Sequence, residues 1–301
     1  MTVCIAAISE NVKLVGASDR MITSGDIEFE PPQPKIWQLT ASIVAMYSGD
    51  TAVLTEILHA VESDVNARLL KDPDTWLAVR EVADLYRAHF HAALRKRSES
   101  KILQPLGLDM KSYIEKQKGM DSDVVEALTE KLTLYQFDDS PQSVIFAGID
   151  LDGPQPENGR RTHAHIYVAR DADITCEDRV GFASIGIGQF HAESHFMFEG
   201  HAKSAPFPDT ILRTYFAKKR AEVAPGVGAQ TDMFAIGPGL GTYFQLGDHV
   251  LVELGSIWKE SQSEIESATR KAQDRMKQFD EELAKKSQEK NQKTDTKDQG
   301  Q

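Results

Sequence analysis

The sequence predicts a layered α+β fold, with antiparallel sheets carrying helices on their outer faces. Three observations point there. Short β-branched apolar runs come in pairs joined by polar turns, helical segments separate two groups of such pairs, and the chain closes on a charged helical stretch. Thr2–Ile8 (TVCIAAI) and Val12–Ala17 (VKLVGA) form the first pair, turning at Ser9-Glu10-Asn11. Asp19–Pro34 reads as a loop, since it holds Gly25 and the stiff Pro31-Pro32 pair. Lys35–Leu39 (KIWQL) and Ser42–Tyr47 (SIVAMY) form a second hairpin, turning at Thr40-Ala41.

The helices follow from spacing. Asp50 is placed to cap a helix whose buried face carries Val53, Leu54, Ile57 and Leu58. Asp74–Arg97 is a second helical segment, with Leu77, Val79, Val82, Leu85 and Phe90. From Ile102 to Tyr135 the helical pattern is broken at Pro105-Leu106-Gly107 and at Gly119. Ser143–Asp150 (SVIFAGID) and Thr162–Ala169 (THAHIYVA) are strands across a polar Gly/Pro-rich loop, and Val180–Gly186 is another. Helices are expected near Phe190–Gly200 and Asp209–Ala224, then a closing hairpin of Thr231–Ile236 and Thr242–Leu246 around Pro238-Gly239. Beyond Ile257 a heptad-like stripe runs through Ile265, Ala272, Met276, Phe279 and Leu283. It suits either a coiled coil between subunits or a helix lying on its own domain. The expected organisation is a domain over 1–255 with a helical insertion near 98–141, a C-terminal helix over 256–287, and a disordered tail over 288–301.

Composition narrows the function. With 34 basic against 46 acidic residues among 301, the net charge is −12. Phosphate binding needs a basic face, so nucleic-acid and anionic-membrane partners are not expected. Cys4 and Cys176 are the sole cysteines, which excludes a disulfide framework. No apolar run has spanning length and no secretory leader is recognisable, so a cytoplasmic protein is expected.

The residue that carries chemistry is Thr2, directly behind Met1. Aminopeptidases remove Met before a small side chain, and the mature chain is then expected to begin with threonine. Such a residue holds a nucleophilic hydroxyl and a general base, its own α-amine, whose ordinary pKa is about 7.7–8.

The order of residues downstream resembles the proteasome β-subunit branch of the N-terminal nucleophile (Ntn) hydrolases. Thr2 heads a strand, Gly16-Ala17-Ser18-Asp19-Arg20 follows the first hairpin, Lys35-Ile36 opens the third strand, and Ser48-Gly49-Asp50 precedes the first long helix. Gly148-Ile149-Asp150-Leu151-Asp152-Gly153 and Gly186-Ile187-Gly188 also look like that family's central region. The match is close over 2–51 and looser over 142–247; residues 98–141 and those after 255 have no counterpart. The form without a propeptide is similar to the bacterial relatives, the ATPase-partnered peptidase and the Anbu-type branch.

The resemblance implies a four-layer αββα sandwich over 1–255. It makes Thr2 the nucleophile, Lys35 the cation beside it, Asp19 the partner of Lys35, and the Gly49 N–H an oxyanion donor. It also implies a substrate pocket lined by Ile22, Thr23, Gln33, Trp37, Tyr47 and Thr51, in which bulky Trp37 and Tyr47 either make the pocket shallow or favour small residues. No cofactor and no metal are implied. Peptide or protein substrates, self-association into a ring or helical stack, and an ATPase partner are implied on the same ground. Three departures stand out. The interval from Thr2 to Asp19 is one residue longer than the family's, so either the Ser9–Asn11 turn absorbs the extra residue or Ser18 takes the acid's place. Ile187 stands where the family has a serine supporting the amine. Pro225 falls near a second such serine, with Glu222 beside it as a replacement acid.

The expected function is therefore a threonine-type peptidase or amide hydrolase. The alternatives are a proteasome-like scaffold or binding module whose site has decayed, and a small-molecule amidohydrolase of the same superfamily. His191-Ala192-Glu193-Ser194-His195 puts two histidines on one helix face, but the acid is misplaced for a His-Glu-x-x-His zinc motif. A helix packing on the sheet is the better reading there, and His163 and His165, which alternate on one strand face, are likewise not read as metal ligands. Gly237-Pro238-Gly239-Leu240-Gly241 lies between strands, with no helix N-terminus to receive a phosphate, and reads as a turn.

Overall fold

The computed structural model describes residues 2–24, 27–137, 141–151 and 162–298. Gly25, Asp152, Gly153 and the polar loop between the two long strands lie outside them. The chain divides into two units, Met1–Leu246 and Gly247–Gln301.

The first unit is a mixed α/β structure built on antiparallel sheets. Its elements are β1 (Cys4–Ser9), β2 (Lys13–Ser18), β3 (Ile22–Ser24), β4 (Ile27–Phe29), β5 (Ile36–Gln38), β6 (Ile43–Ser48), α1 (Thr51–Lys71) and α2 (Val79–Ser98). Next come α3 (Met110–Lys116), α4 (Ser122–Thr133), β7 (Ser143–Leu151), β8 (Thr162–Arg170), β9 (Asp173–Cys176) and β10 (Phe182–Ile185). The unit ends with α5 (Gln189–Phe198), α6 (Phe207–Ala221), β11 (Asp232–Ile236) and β12 (Phe244–Gln245). One sheet has the order β10-β1-β2-β11-β12 and another β5-β6-β7-β8-β9, with every neighbouring pair antiparallel.

Strand periodicity sorts the core. Successive side chains of a strand point to opposite faces, so Cys4, Ala6 and Ile8 join Leu14 and Phe234 in one cluster with Val44, Met46, Ile145 and Ile166 of the other sheet. Val3, Ile5 and Ala7 face the other way, onto Ala192 and Phe196 of α5 and Ala217 and Ala221 of α6. Ile43, Ala45, Val144 and Phe146 pack against Val53, Leu54 and Ile57 of α1 and Val82 and Tyr86 of α2. Strands covered on both faces read as continuous apolar runs, which is how β1 and β7 appear in the sequence. Burying Phe146 or Phe234 completely contributes about 2–3 kcal/mol each.

Asp50 caps α1 as its position predicts, accepting from the N–H groups of Ala52 at 2.8 Å and Val53 at 3.2 Å. Three elements differ from expectation. The segment read as a loop contains the β3–β4 hairpin, and β9 was not foreseen. The second helix starts at Val79, not Asp74, because the buried Asp150 carboxylate takes the Val79 N–H at 2.8 Å and Glu81 takes that of Ala78 at 3.1 Å. The insertion forms α3 and α4 around its own small core of Leu103, Tyr113 and Leu128.

The second unit is one helix, α7 (Asp248–Asp298). It begins before residue 256 and extends to Asp298, and residues 299–301 lie outside the described residues; Glu, Lys and Gln are good helix formers even without an apolar face. Ile265, Met276, Phe279 and Leu283 of its stripe are exposed.

Candidate active site

The site starts from a turn. Glu10 and Asn11 both have positive φ, 51° and 63°, and Ser9 pairs with Lys13. The register then brings Asp19 level with Val3: the Asp19 N–H donates to the Val3 carbonyl at 3.2 Å, and the Val3 N–H donates to Asp19 Oδ1 at 3.0 Å. Ser18 is buried, and its hydroxyl has no hydrogen-bond partner among the described residues. Asp19, not Ser18, contacts Thr2 and Lys35. Below it, the Arg20 fork grips Asp232 at 2.7 and 2.5 Å, tying the end of β2 to β11.

Thr2, Asp19 and Lys35 meet. Lys35, just before β5, reaches across from the other sheet and its Nζ donates to Thr2 Oγ1 at 2.5 Å. It also donates to Asp19 Oδ1 at 3.2 Å and to the Met21 carbonyl. The Thr2 hydroxyl donates to Asp19 Oδ1. Asp19 Oδ2 accepts the N–H groups of Met21 at 3.1 Å and Gly228 at 3.0 Å. All three side chains are buried, with Asp19 at 0% exposure. The arrangement places a cation on the oxygen of a hydroxyl whose proton points at a carboxylate. That geometry favours negative charge on Oγ1.

Thr2 is held from behind by glycine. Gly186 has φ +92°, and a Cβ there would lie 2.3 Å from the Thr2 carbonyl oxygen. The Gly188 N–H donates to that oxygen at 3.3 Å. Gly49 has φ +138°, and its would-be Cβ falls 2.5 Å from Gln142 Oε1, which accepts the Asp50 N–H at 2.8 Å. Only glycine tolerates both the φ and the contact.

A cavity of about 30 Å³ opens onto the cluster, lined by Thr2, Met21, Ile22, Thr23, Lys35, Tyr47, Ser48, Gly49 and Thr51. A wider cleft of about 830 Å³ shares Ile22, Thr23, Ser48, Gly49 and Thr51 with it and continues past Arg170, Gly186, Ile187 and Gln189. Ile22, Thr23, Tyr47 and Thr51 of the expected pocket thus come together with Gly49. Gln33 and Trp37 do not. Gln33 is exposed, while Trp37 points to the helical side of its strand and meets the His59 ring edge-on at 4.7 Å.

Ile187 lines the wider cleft and is 46% exposed. Pro225 is exposed, and Glu222 pairs with Lys218 and Lys219. Sequence reasoning missed the two backbone donors to Asp19 Oδ2, those of Met21 and Gly228. Backbone groups leave no residue-type signal, and Gly226 and Gly228 beside Pro225 offered only a generic turn signature.

The other titratable groups divide by environment. Burial pushes the Cys4 thiol up to about 12, against the lowering field of Lys35, so it stays neutral beside the cluster. His195 is buried against Phe196 and Phe216, and burial with the fields of Arg220 and Arg213 lowers it to about 4. His191 is exposed, and Glu193 accepts the Ser184 hydroxyl at 3.0 Å. Among the described residues no group of three His, Cys, Asp or Glu is placed to hold a metal ion, and no helix is long and apolar enough to cross a membrane.

Compared with protein-family models and with curated proteins, the chain matches none.

Proposed function

We propose that this chain is a threonine-type amide hydrolase of the proteasome β-subunit kind, a four-layer αββα sandwich that cleaves peptide bonds through an ester on Thr2. The observation that carries the reading is the 2.5 Å contact of Lys35 Nζ with Thr2 Oγ1, braced by Asp19 beneath both. The two-sheet core with α1 and α2 on one side and α5 and α6 on the other supports the fold assignment.

The reaction requires Thr2 to be the first residue of the mature chain. Its α-amine then takes the hydroxyl proton as Oγ1 bonds to the substrate carbonyl carbon. Lys35 offsets the charge that develops on Oγ1. The Gly49 N–H is the donor for the tetrahedral oxyanion, a contribution typically worth about 3–4 kcal/mol. Collapse breaks the carbon–nitrogen bond and the leaving amine carries off the proton. Water, deprotonated by the same α-amine, adds to the ester carbonyl; the acid product leaves and Oγ1 regains its proton. The small cavity beside Tyr47 and Thr51 suits a compact side chain next to the scissile bond. Assembly into a ring or stack, with or without an ATPase, belongs to the same reading.

A peptide β-lactone tests it. The Thr2 oxygen opens the lactone ring, and the whole probe remains as an ester. Intact mass should show one adduct per chain, absent from Thr2→Ala, and N-terminal sequencing should return threonine first. An unlabelled protein that begins with Thr2 sinks the proposal. A second reading, a binding module without turnover, is favoured by the 2% exposure of Thr2, and that unlabelled result is what it expects.

A further inference from the structure

Lys218 lies on α6 between Ala217 and Ala221 of the core, and its side chain is fully buried. An ammonium without water needs an acceptor for each of its three protons. Lys218 finds Glu222 Oε1 at 2.6 Å, the Gly228 carbonyl at 2.8 Å and the Ala229 carbonyl at 3.0 Å. The N–H of that same Gly228 donates to Asp19 Oδ2 at 3.0 Å. One turn of backbone is thus fixed on one side by a buried cation and presented on the other to the carboxylate that holds Thr2 and Lys35. The turn is pressed into place: a Cβ on Gly228 would lie 1.9 Å from Glu30 Oε1 and 3.1 Å from Met21 Cβ. The neighbouring Lys219 contacts Glu222 alone among the described residues, at 2.7 and 2.6 Å.

We propose that Lys218 is a positioning residue for the reaction at Thr2, acting through the Gly228–Ala229 backbone to hold the Asp19 carboxylate in register with Thr2 and Lys35. The inference rests on the reaction assigned to Thr2 above. Nothing in the sequence marks Lys218, because a Lys-Lys-Arg run near the end of a helix reads as a solvated face.

The experiment uses the full chain, labelled with 15N-glycine, and a peptide β-lactone as probe. Lys218→Met should lower the maximal rate of adduct formation by about 10- to 100-fold, the scale of a small misplacement of reacting groups, with the half-saturating probe concentration unchanged. The Gly228 amide proton should move upfield as its bond to the carboxylate loosens. Lys219→Met should change neither quantity. A Lys218→Met protein that labels at the wild-type rate, loses rate through weaker probe binding, or keeps the Gly228 resonance in place overturns the proposal. Should Lys218→Met not fold, Lys218→Gln is read by the same criteria. If wild type itself is not labelled, the reaction at Thr2 is refuted and this proposal falls with it; the Gly228 resonance still shows whether Lys218 holds the carboxylate.

Discussion

Lys35→Met tests the cluster without any assumption about substrate. The thioether matches the lysine stem in length and removes only the charge and the donors. What remains is an Asp19 carboxylate of 0% exposure. Stripping one partner from a buried pair costs about 3–5 kcal/mol where the remaining charge is left bare. Here it is not bare, because Val3, Met21 and Gly228 supply backbone N–H groups at 3.0, 3.1 and 3.0 Å. Those donors offset part of the loss, and the expected cost is about 2–3 kcal/mol. Asp19→Asn removes the anion and leaves Lys35 with Thr2 and the Met21 carbonyl, at a similar cost. The double variant should be less destabilised than the two singles summed, by about 1–3 kcal/mol. Urea unfolding of the four proteins at pH 7, followed by circular dichroism with unchanged m-values, measures this. If the two substitutions add within about 0.5 kcal/mol, the two side chains do not interact and the reasoning is wrong.

Three further outcomes are expected. Gly186→Ala forces a Cβ to 2.3 Å from the Thr2 carbonyl oxygen at φ +92°, so thermal unfolding should show a loss of about 1–3 kcal/mol and β-lactone labelling of Thr2 should fall with it. His165 lies between Asp150 at 3.0 Å and Asp178 at 2.6 Å; burial lowers its pKa, but the hydrogen bonds to both carboxylates outweigh that and raise it from 6.5 to about 10. A raised folded pKa gives stability that is complete below pH 6.5 and is lost as pH climbs through about 10. Denaturant unfolding of wild type should weaken over that window, while His165→Gln should show a flatter profile; equal slopes would remove the ion pairs from the account. The Tyr86 hydroxyl is buried with no hydrogen-bond partner among the described residues, so Tyr86→Phe should leave the denaturation midpoint unchanged or raise it by up to about 1 kcal/mol equivalent. A clear loss there would mean that the hydroxyl has a partner.

Local pattern made the strands and long helices legible. Pairs of β-branched runs foretold β1–β2, β5–β6 and β7–β8, and the cap at Asp50 foretold the start of α1. The β3–β4 hairpin was hidden because its strands are three residues each, with Ile27 and Phe29 exposed, so no alternating core face marks it. The start of α2 was hidden because the groups that fix it, Asp150 and Glu81, act through the backbone of Ala78 and Val79. At the site, Thr2, Asp19 and Lys35 were legible as residue types at given intervals, since their side chains make the contacts. Trp37 was misjudged for a reason of period: in β5 it faces the helices, while its neighbour Ile36 turns to the core between the sheets. Gly228 and Lys218 were invisible because one acts only through its backbone N–H and carbonyl and the other resembles a surface lysine.

The identity of the base follows from counting acceptors. A carboxylate has about four lone-pair sites. Asp19 already meets Thr2 Oγ1, the Val3 N–H and Lys35 on Oδ1, and the N–H groups of Met21 and Gly228 on Oδ2. Taking the Thr2 proton along their shared hydrogen bond would neutralise the carboxylate and weaken the charge-assisted bonds from Lys35 and the Val3, Met21 and Gly228 N–H groups, each of which fixes a piece of the site. Asp19 therefore serves as an anchor, not as a proton shuttle. Lys35 turns its three donors to Thr2, Asp19 and the Met21 carbonyl, and so aims no lone pair at the hydroxyl. Cys4 is kept neutral by burial. Of the groups in contact with Oγ1, none can accept its proton at small cost, so the hydrolysis proposed for this site depends on an amine that exists only when Thr2 begins the chain. A variant carrying one additional residue ahead of Thr2, blocked from processing by its choice of side chain, should keep the fold, keep the coupling between Asp19 and Lys35 in urea unfolding, and lose β-lactone labelling altogether. Labelling that persisted in such a protein would assign the base to Asp19 and overturn this argument.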